Sequence, residues 1–168
     1  MTEGTRSNLW VAMREAIARL GMGALAKVIL HYDKPFWPVH QYVFGVHGER
    51  VADRPTVVIN AMRTHHAPAL VLLAGGSLAR CVEGWDEGEV RRWADATLRD
   101  VFGTEPPAPR CIERTSWTRD PFSLGAYSFV SKGSTPADID VLAEPIGGRL
   151  FFAGEATFRH HWAGAHGA

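Results

Sequence analysis

Ala26-Lys-Val-Ile-Leu-His-Tyr32 is rich in β-branched and apolar residues and reads as a strand. Two further apolar runs, Thr56–Asn60 and Ala69–Ala74, read the same way, and Gly75-Gly76 closes the second. Gln41–Val46, Arg110–Ser116 and Arg149–Ala153 add weaker strand signals. The strongest helix lies among them. Asp86 and Glu89 have the spacing of a capping box, Val90, Trp93, Ala94, Thr97, Leu98 and Val101 mark one helical face, and Gly103 stands just past its end. A first helix is expected behind Ser7 or Asn8, with Trp10, Met13, Ile17 and Leu20 on one face and Gly21 as its stop. Thr135 before Pro136, with Asp138 following, opens a short helix that Pro145 must end. Asp33–Pro38 is a turn, Gly48–Pro55 a polar loop and Thr104–Pro109 a proline-rich connection. Several strands and a few helices without strict βαβ alternation predict an α+β domain, a mixed sheet with flanking helices.

Bulk composition narrows the function classes. The chain has 168 residues, 46% hydrophobic and 21% charged, which suits a soluble domain with a real core. Lys and Arg number 18, as do Asp and Glu, so the net charge is zero. No basic excess argues for nucleic acid. The polar N-terminus is not followed by a long apolar run, so no signal peptide or membrane span is expected and the cytoplasm is the default. Cys81 and Cys111 form no C-x-x-C pair and read as reduced thiols. His160, His161 and His166 lack the companion ligands of a metal site, and none is expected. Gly21-Met-Gly23 follows a helix and lacks a third glycine, so it is no dinucleotide fingerprint.

Three places carry candidate chemistry. Lys27 interrupts an apolar strand, where a lysine is costly unless it faces solvent or a polar site. Trp117 and Tyr127 bracket a loop of pattern W-x-x-D-P-x-x-x-G-x-Y. At the end, Arg149-Leu-Phe-Phe-Ala-Gly-Glu155 reads as a buried strand, Leu150–Ala153, broken at Gly154 and followed by one carboxylate. Glycine at a strand end lets another backbone or a ligand come close.

These three motifs, in this order, resemble the flavin-dependent amine oxidases, the family of monoamine oxidases, polyamine oxidases and lysine-specific histone demethylases. The resemblance runs from about Gly21 to Ala168. The segment Lys27–Trp37 is similar to the one in which that family places an active-site lysine, which holds a water against the reactive flavin nitrogen; this makes Lys27 the catalytic candidate. Trp117 matches a tryptophan beside the flavin ring, which contacts both cofactor and substrate, and Tyr127 matches one wall of an aromatic cage. Aromatic faces attract an arriving cationic amine. Ala153, Gly154, Glu155 and Ala163 fall where the family contacts FAD.

The resemblance implies the substrate-binding half of a two-domain enzyme, with residues 1–148 as a substrate-binding α+β domain and 149–168 as the truncated end of an FAD-binding domain. The glycine-rich fingerprint of a complete Rossmann domain is absent from the sequence. Ala163-Gly164 stands where monoamine oxidases carry a second cage aromatic; the histone demethylases also lack one there, and Trp162 is a neighbouring aromatic. No cysteine follows Cys111, so FAD is expected to be non-covalent and to require the missing flavin domain, supplied in a longer parent or as a separate chain. The implied reaction oxidises the C–N bond of a small-molecule amine to an imine, with oxygen as electron acceptor. The isolated chain is expected to be inactive and prone to self-association. The alternative is a non-catalytic remnant or interaction module that keeps the fold without the cofactor.

Overall fold

A computed structural model of the protein describes residues 3–46, 54–160 and 164, with side chains from residue 9 onward. The polar loop expected at Gly48–Pro55 lies largely outside the described residues, as do Trp162 and Ala163. Contacts divide the chain into two compact units, Ala24–Leu124 and Met1–Gly23 with Gly125–Ala168.

The α1 helix, Glu3–Arg19, leads into a three-residue strand β1, Gly21–Gly23. Next come β2, Leu25–His31; β3, Val43–Gly45; β4, Val57–Asn60; the short α2, Ala61–Thr64; and β5, Ala69–Gly75. Two helices follow, α3 (Gly76–Gly84) and α4 (Glu87–Phe102), and then β6 (Cys111–Arg114), β7 (Tyr127–Phe129) and α5 (Pro136–Ala143). A 3-10 turn covers Glu155–Thr157. The protein is α+β, with open sheets and flanking helices, as expected. Every described strand pair is antiparallel.

The larger unit is built on a five-stranded sheet of order β3-β4-β5-β2-β6. Strand alternation sends Ala26, Val28 and Leu30 to one face, opposite Ala74, Leu72 and Leu70 of β5. On that face they join Leu78, Ala79 and Val82 of α3 and Val90, Ala94 and Leu98 of α4 in one buried cluster. The α4 capping box forms as its spacing predicts: Glu89 N–H donates to Asp86 Oδ1 (2.7 Å), and Asp86 N–H to Glu89 Oε2 (2.8 Å). Gly103 takes the left-handed conformation that ends the helix, at φ 69°. The turn after β2 is pinned by fully buried Asn60. Its Oδ1 accepts from Trp37 Nε1 (2.9 Å) and its amide donates to the Val39 and Gln41 carbonyls.

The smaller unit holds α1, α5 and the two-stranded β1–β7 sheet. Asp138 joins the two helices. Its Oδ1 accepts from Arg19 Nη2 (2.6 Å) and Nε (3.0 Å), while Oδ2 accepts the Thr135 N–H (2.8 Å). The Arg19 bond is the main reason the Asp138 carboxyl sits below its ordinary pKa, with the Thr135 N–H next.

Four expectations are corrected. The buried stripe of α1 is Met13 and Ala16, with Leu9, Ala12 and Leu20 half-buried; Trp10 and Ile17 point to solvent. Gly21 is not a helix stop but the first residue of β1. The sequence reading has no helix between Gly76 and Asp86, yet just past the end of β5 at Gly75 the φ of 60° at Gly76 turns the chain sharply into α3. The buried strand expected at Leu150–Ala153 does not form. Among the described residues only Leu150 finds a strand neighbour, in an isolated bridge to Ile146, and Phe151 and Phe152 are 67% and 44% exposed. A strand without partners leaves its backbone groups to water.

Candidate functional site

Lys27 sits in the middle of β2 on the face turned away from the helices, and it is exposed. Its cross-strand neighbour is Leu73, which in turn pairs with Val57. One step along the strands, Ile29, Val71, Ile59 and Val43 make a second apolar row. On β4 and β5 this face is therefore aliphatic, and β2 adds Lys27 beside it and His31 near its end. Glu113 adds a charge on the β6 edge and lies 3.0 Å from His31 Nε2. A cation bordered on one side by aliphatic side chains on an open sheet is well placed to hold one polar group, such as a water, beside an apolar floor.

The backbone of Lys27 also receives the start of the Trp117 loop. Lys27 N–H donates to Thr115 Oγ1 (2.9 Å), and Thr115 N–H donates back to the Lys27 carbonyl (3.0 Å). From there the chain turns at Ser116–Asp120, carrying Trp117, 45% exposed, on its outside. Two anchors hold that turn against the end of α3. The carboxylate of Glu83, itself buried, accepts the Thr118 N–H at 3.2–3.3 Å and the Thr118 hydroxyl. Arg119 Nη1 donates to the Glu83 carbonyl (3.1 Å), and Arg114 Nη1 to the carbonyls of Val82 and Trp85. These donors satisfy carbonyls that the end of α3 leaves without helical partners. Beyond the turn, Asp120 accepts from Phe122 N–H (3.1 Å) and Ser123 Oγ (2.6 Å); the hydroxyl, then the N–H, hold its carboxyl below the ordinary range.

In the smaller unit the strand β7 carries Tyr127 on one face and buried Ser128 on the other. Ser128 grips Glu155: its N–H donates to Oε1 (2.8 Å) and its hydroxyl to Oε2 (3.0 Å). The preceding Gly154 has φ 143°, which side chains rarely tolerate, and the position a Cβ would take there has no atom within 4 Å. Ala153-Gly154 therefore allows another molecule's backbone to come close, and Ser128 turns the Glu155 charge inward onto the protein. Both features fit FAD lying along this turn, because a carboxylate held by the protein's own donors is not aimed at a phosphate.

The structure thus joins Lys27 to the root of the Trp117 loop within one unit, and Tyr127 to Gly154 and Glu155 through Ser128 within the other. Ala163 falls outside the described residues. Three residues that the sequence reading does not place at the site belong to its support. Glu83 holds Thr118, Ser128 holds Glu155, and Gly23 pairs with Tyr127. Only Glu83 left a trace in the sequence, four residues after Ala79 on what proves to be the apolar face of α3.

The family model described as flavin containing amine oxidoreductase matches residues 6–168. A possible lysine-specific histone demethylase 1 of Drosophila melanogaster is 36% identical over 92% of this chain and 18% of its own length. The histone demethylase-like protein A of Aspergillus fumigatus is 36% identical over 92% of the chain and 16% of its length. Lysine-specific histone demethylase 1 homolog 2 of Arabidopsis thaliana is 38% identical over 91% of the chain and 21% of its length. The chain spans about a fifth or less of each of these relatives. With the match running over nearly all of its residues, the chain belongs to the flavin containing amine oxidoreductase family.

Proposed function

We propose that this chain supplies the substrate-facing part of an FAD-dependent amine oxidase. In this reading an amine loses a hydride from the carbon next to nitrogen and a proton from nitrogen, giving an imine that water hydrolyses to an aldehyde and a shorter amine. FAD, when bound, takes up the electron pair and passes it to oxygen, which becomes hydrogen peroxide. The observation that carries the reading is Lys27, an exposed cation on β2 whose face is otherwise aliphatic across β4 and β5 and along β2 as far as Ile29.

The roles of the chain's own residues follow from their chemistry. Lys27 holds a water by donating a hydrogen bond, and the aliphatic rows beside it keep other water away. Trp117 and Tyr127 offer flat apolar faces to an amine that arrives charged and reacts neutral. Ala153 and Gly154 permit close approach of the cofactor, and Glu155 braces the turn through Ser128. Ala163 is proposed as a further small residue beside the cofactor. The relatives' names favour, within the amines, a methylated lysine side chain as substrate. A long aliphatic stem ending in a small cation suits an apolar slot with aromatic walls.

The test supplies the chain with the flavin half of a related demethylase and titrates FAD with and without it. Oxygen-free mixing with an N-methyl-lysine peptide, and separately with a polyamine, should bleach the flavin, and readmitting oxygen should release peroxide. Bound FAD that no amine bleaches would sink the proposal in favour of a non-catalytic module.

A further inference from the structure

Two of the three residues of β1 are glycines, Gly21 and Gly23. Glycine inside a strand costs backbone entropy and contributes no side-chain packing, so a pair in so short a strand calls for a reason. The β1–β7 register gives one: Gly23 lies opposite Tyr127, and Gly21 opposite Phe129. Each aromatic ring covers the glycine across from it. A Cβ added to Gly23 would stand 2.8 Å from Cε2 and 2.9 Å from Cζ of Tyr127, and one added to Gly21 would run into the Phe129 ring. An aromatic lying over a cross-strand glycine restores the packing that the glycine lacks. Gly125 closes the arrangement, since a Cβ there would strike the Met22 side chain and approach the Gly23 carbonyl to 2.9 Å.

We propose that Gly23 is a positioning residue for the Tyr127 ring: its missing side chain sets how closely the ring lies on β1, and so where the aromatic wall stands. The functional half of this inference rests on Tyr127 being that wall. A methyl at Gly23 would force the ring from 2.8 Å to ordinary carbon contact, a displacement on the order of 1 Å. A shift of that size is enough to spoil a positioned site. Phe129 and Gly21 repeat the arrangement two residues along on the same face and provide the control.

The chain has three tyrosines, and Tyr32 and Tyr42 belong to the other compact unit. In the chain labelled with 3-fluorotyrosine, Gly23→Ala should move the Tyr127 fluorine resonance and leave the other two in place, while Gly21→Ala moves it much less. In thermal melts Gly23→Ala should lower Tm in the wild-type background and hardly at all in Tyr127→Ala. Should Gly23→Ala fail to fold, recovery in the Tyr127→Ala background supports the proposal and failure in both overturns it. An unmoved Tyr127 resonance, or an equal Tm loss in both backgrounds, also overturns it. In the FAD-loaded assembly Gly23→Ala should raise KM for a cationic amine more than it lowers kcat. A moved resonance with unchanged KM would uphold the positioning and sink the cage reading of Tyr127 instead.

Discussion

Ser128 donates to both oxygens of Glu155, its N–H to one at 2.8 Å and its hydroxyl to the other at 3.0 Å. The bond pair ties the strand carrying Tyr127 to the turn carrying Gly154, 27 residues away in sequence. Under the proposed function, a substrate-side aromatic and a cofactor-side turn are thereby fastened to each other.

Ser128→Ala removes one of those two donors and leaves the other. Hydrogen bonds to a charged acceptor contribute roughly 1.5–3 kcal/mol, toward the low end for a half-buried carboxylate such as this one. Urea unfolding should show a loss of about 1–2 kcal/mol. Glu155→Gln, which keeps one acceptor for the N–H, should cost less than Glu155→Ala. Losses near zero for both Ser128→Ala and Glu155→Ala would mean that the carboxylate's grip on Ser128 contributes nothing to stability.

Lys27→Met separates chemistry from folding. Lys27 is exposed on its strand, so the substitution should leave stability within about 0.5 kcal/mol of the parent. In the FAD-loaded assembly it should slow flavin reduction far more than it weakens amine binding, because a water-holding lysine acts in the reacting step. Rapid-mixing measurement of flavin bleaching decides the matter: an unchanged reduction rate reduces Lys27 to a surface lysine.

Much of the larger unit was legible in the sequence because its signals are local. The α4 helix declares both ends, through Asp86 and Glu89 at one and Gly103 at the other. The β2 strand is apolar enough to be recognised with Lys27 inside it. The failures share a different cause. Whether Phe151 and Phe152 form a strand depends on a neighbouring strand, which no window of sequence contains. Gly75-Gly76 reads only as the end of a strand, yet Gly76 also uses its positive φ to start α3, a helix whose Glu83 therefore goes unread. Gly21-Met-Gly23 reads as a helix stop and as a rejected dinucleotide fingerprint; its use as a floor for two rings emerges from pairing with β7, over 100 residues away in the chain. The site motifs were legible through resemblance, while the residues that brace them were not.

Acid should loosen the contact between α1 and α5. Arg19 and the Thr135 N–H lower the folded pKa of Asp138 below its ordinary 3.8. Folding then favours the ionised form, so the contribution is complete above the unfolded value and is lost as pH falls through the lower, folded value. Acid titration followed by circular dichroism should show Asp138→Asn less stable than the parent at neutral pH. The gap should narrow progressively below about pH 4. A gap that stays constant down to pH 2 would show that the charge on Asp138 is not what joins the helices.

Self-association is the last expectation, and it concerns the surface. Phe122 is 96% exposed, Leu124 is 65% exposed, and Phe151 and Phe152 stand out in the other unit. Burying apolar area is worth about 25 cal/mol per Å2, so contact between copies through such side chains is favourable. With 18 basic and 18 acidic residues, net charge supplies little repulsion against it. Light scattering at rising concentration should report growing mass, and a hydrophobic dye should bind. Phe122→Ser and Phe151→Ser together should reduce both signals without lowering Tm, because neither ring is buried. A parent chain that stays monomeric and dye-free would show that these rings pack against their own unit in solution.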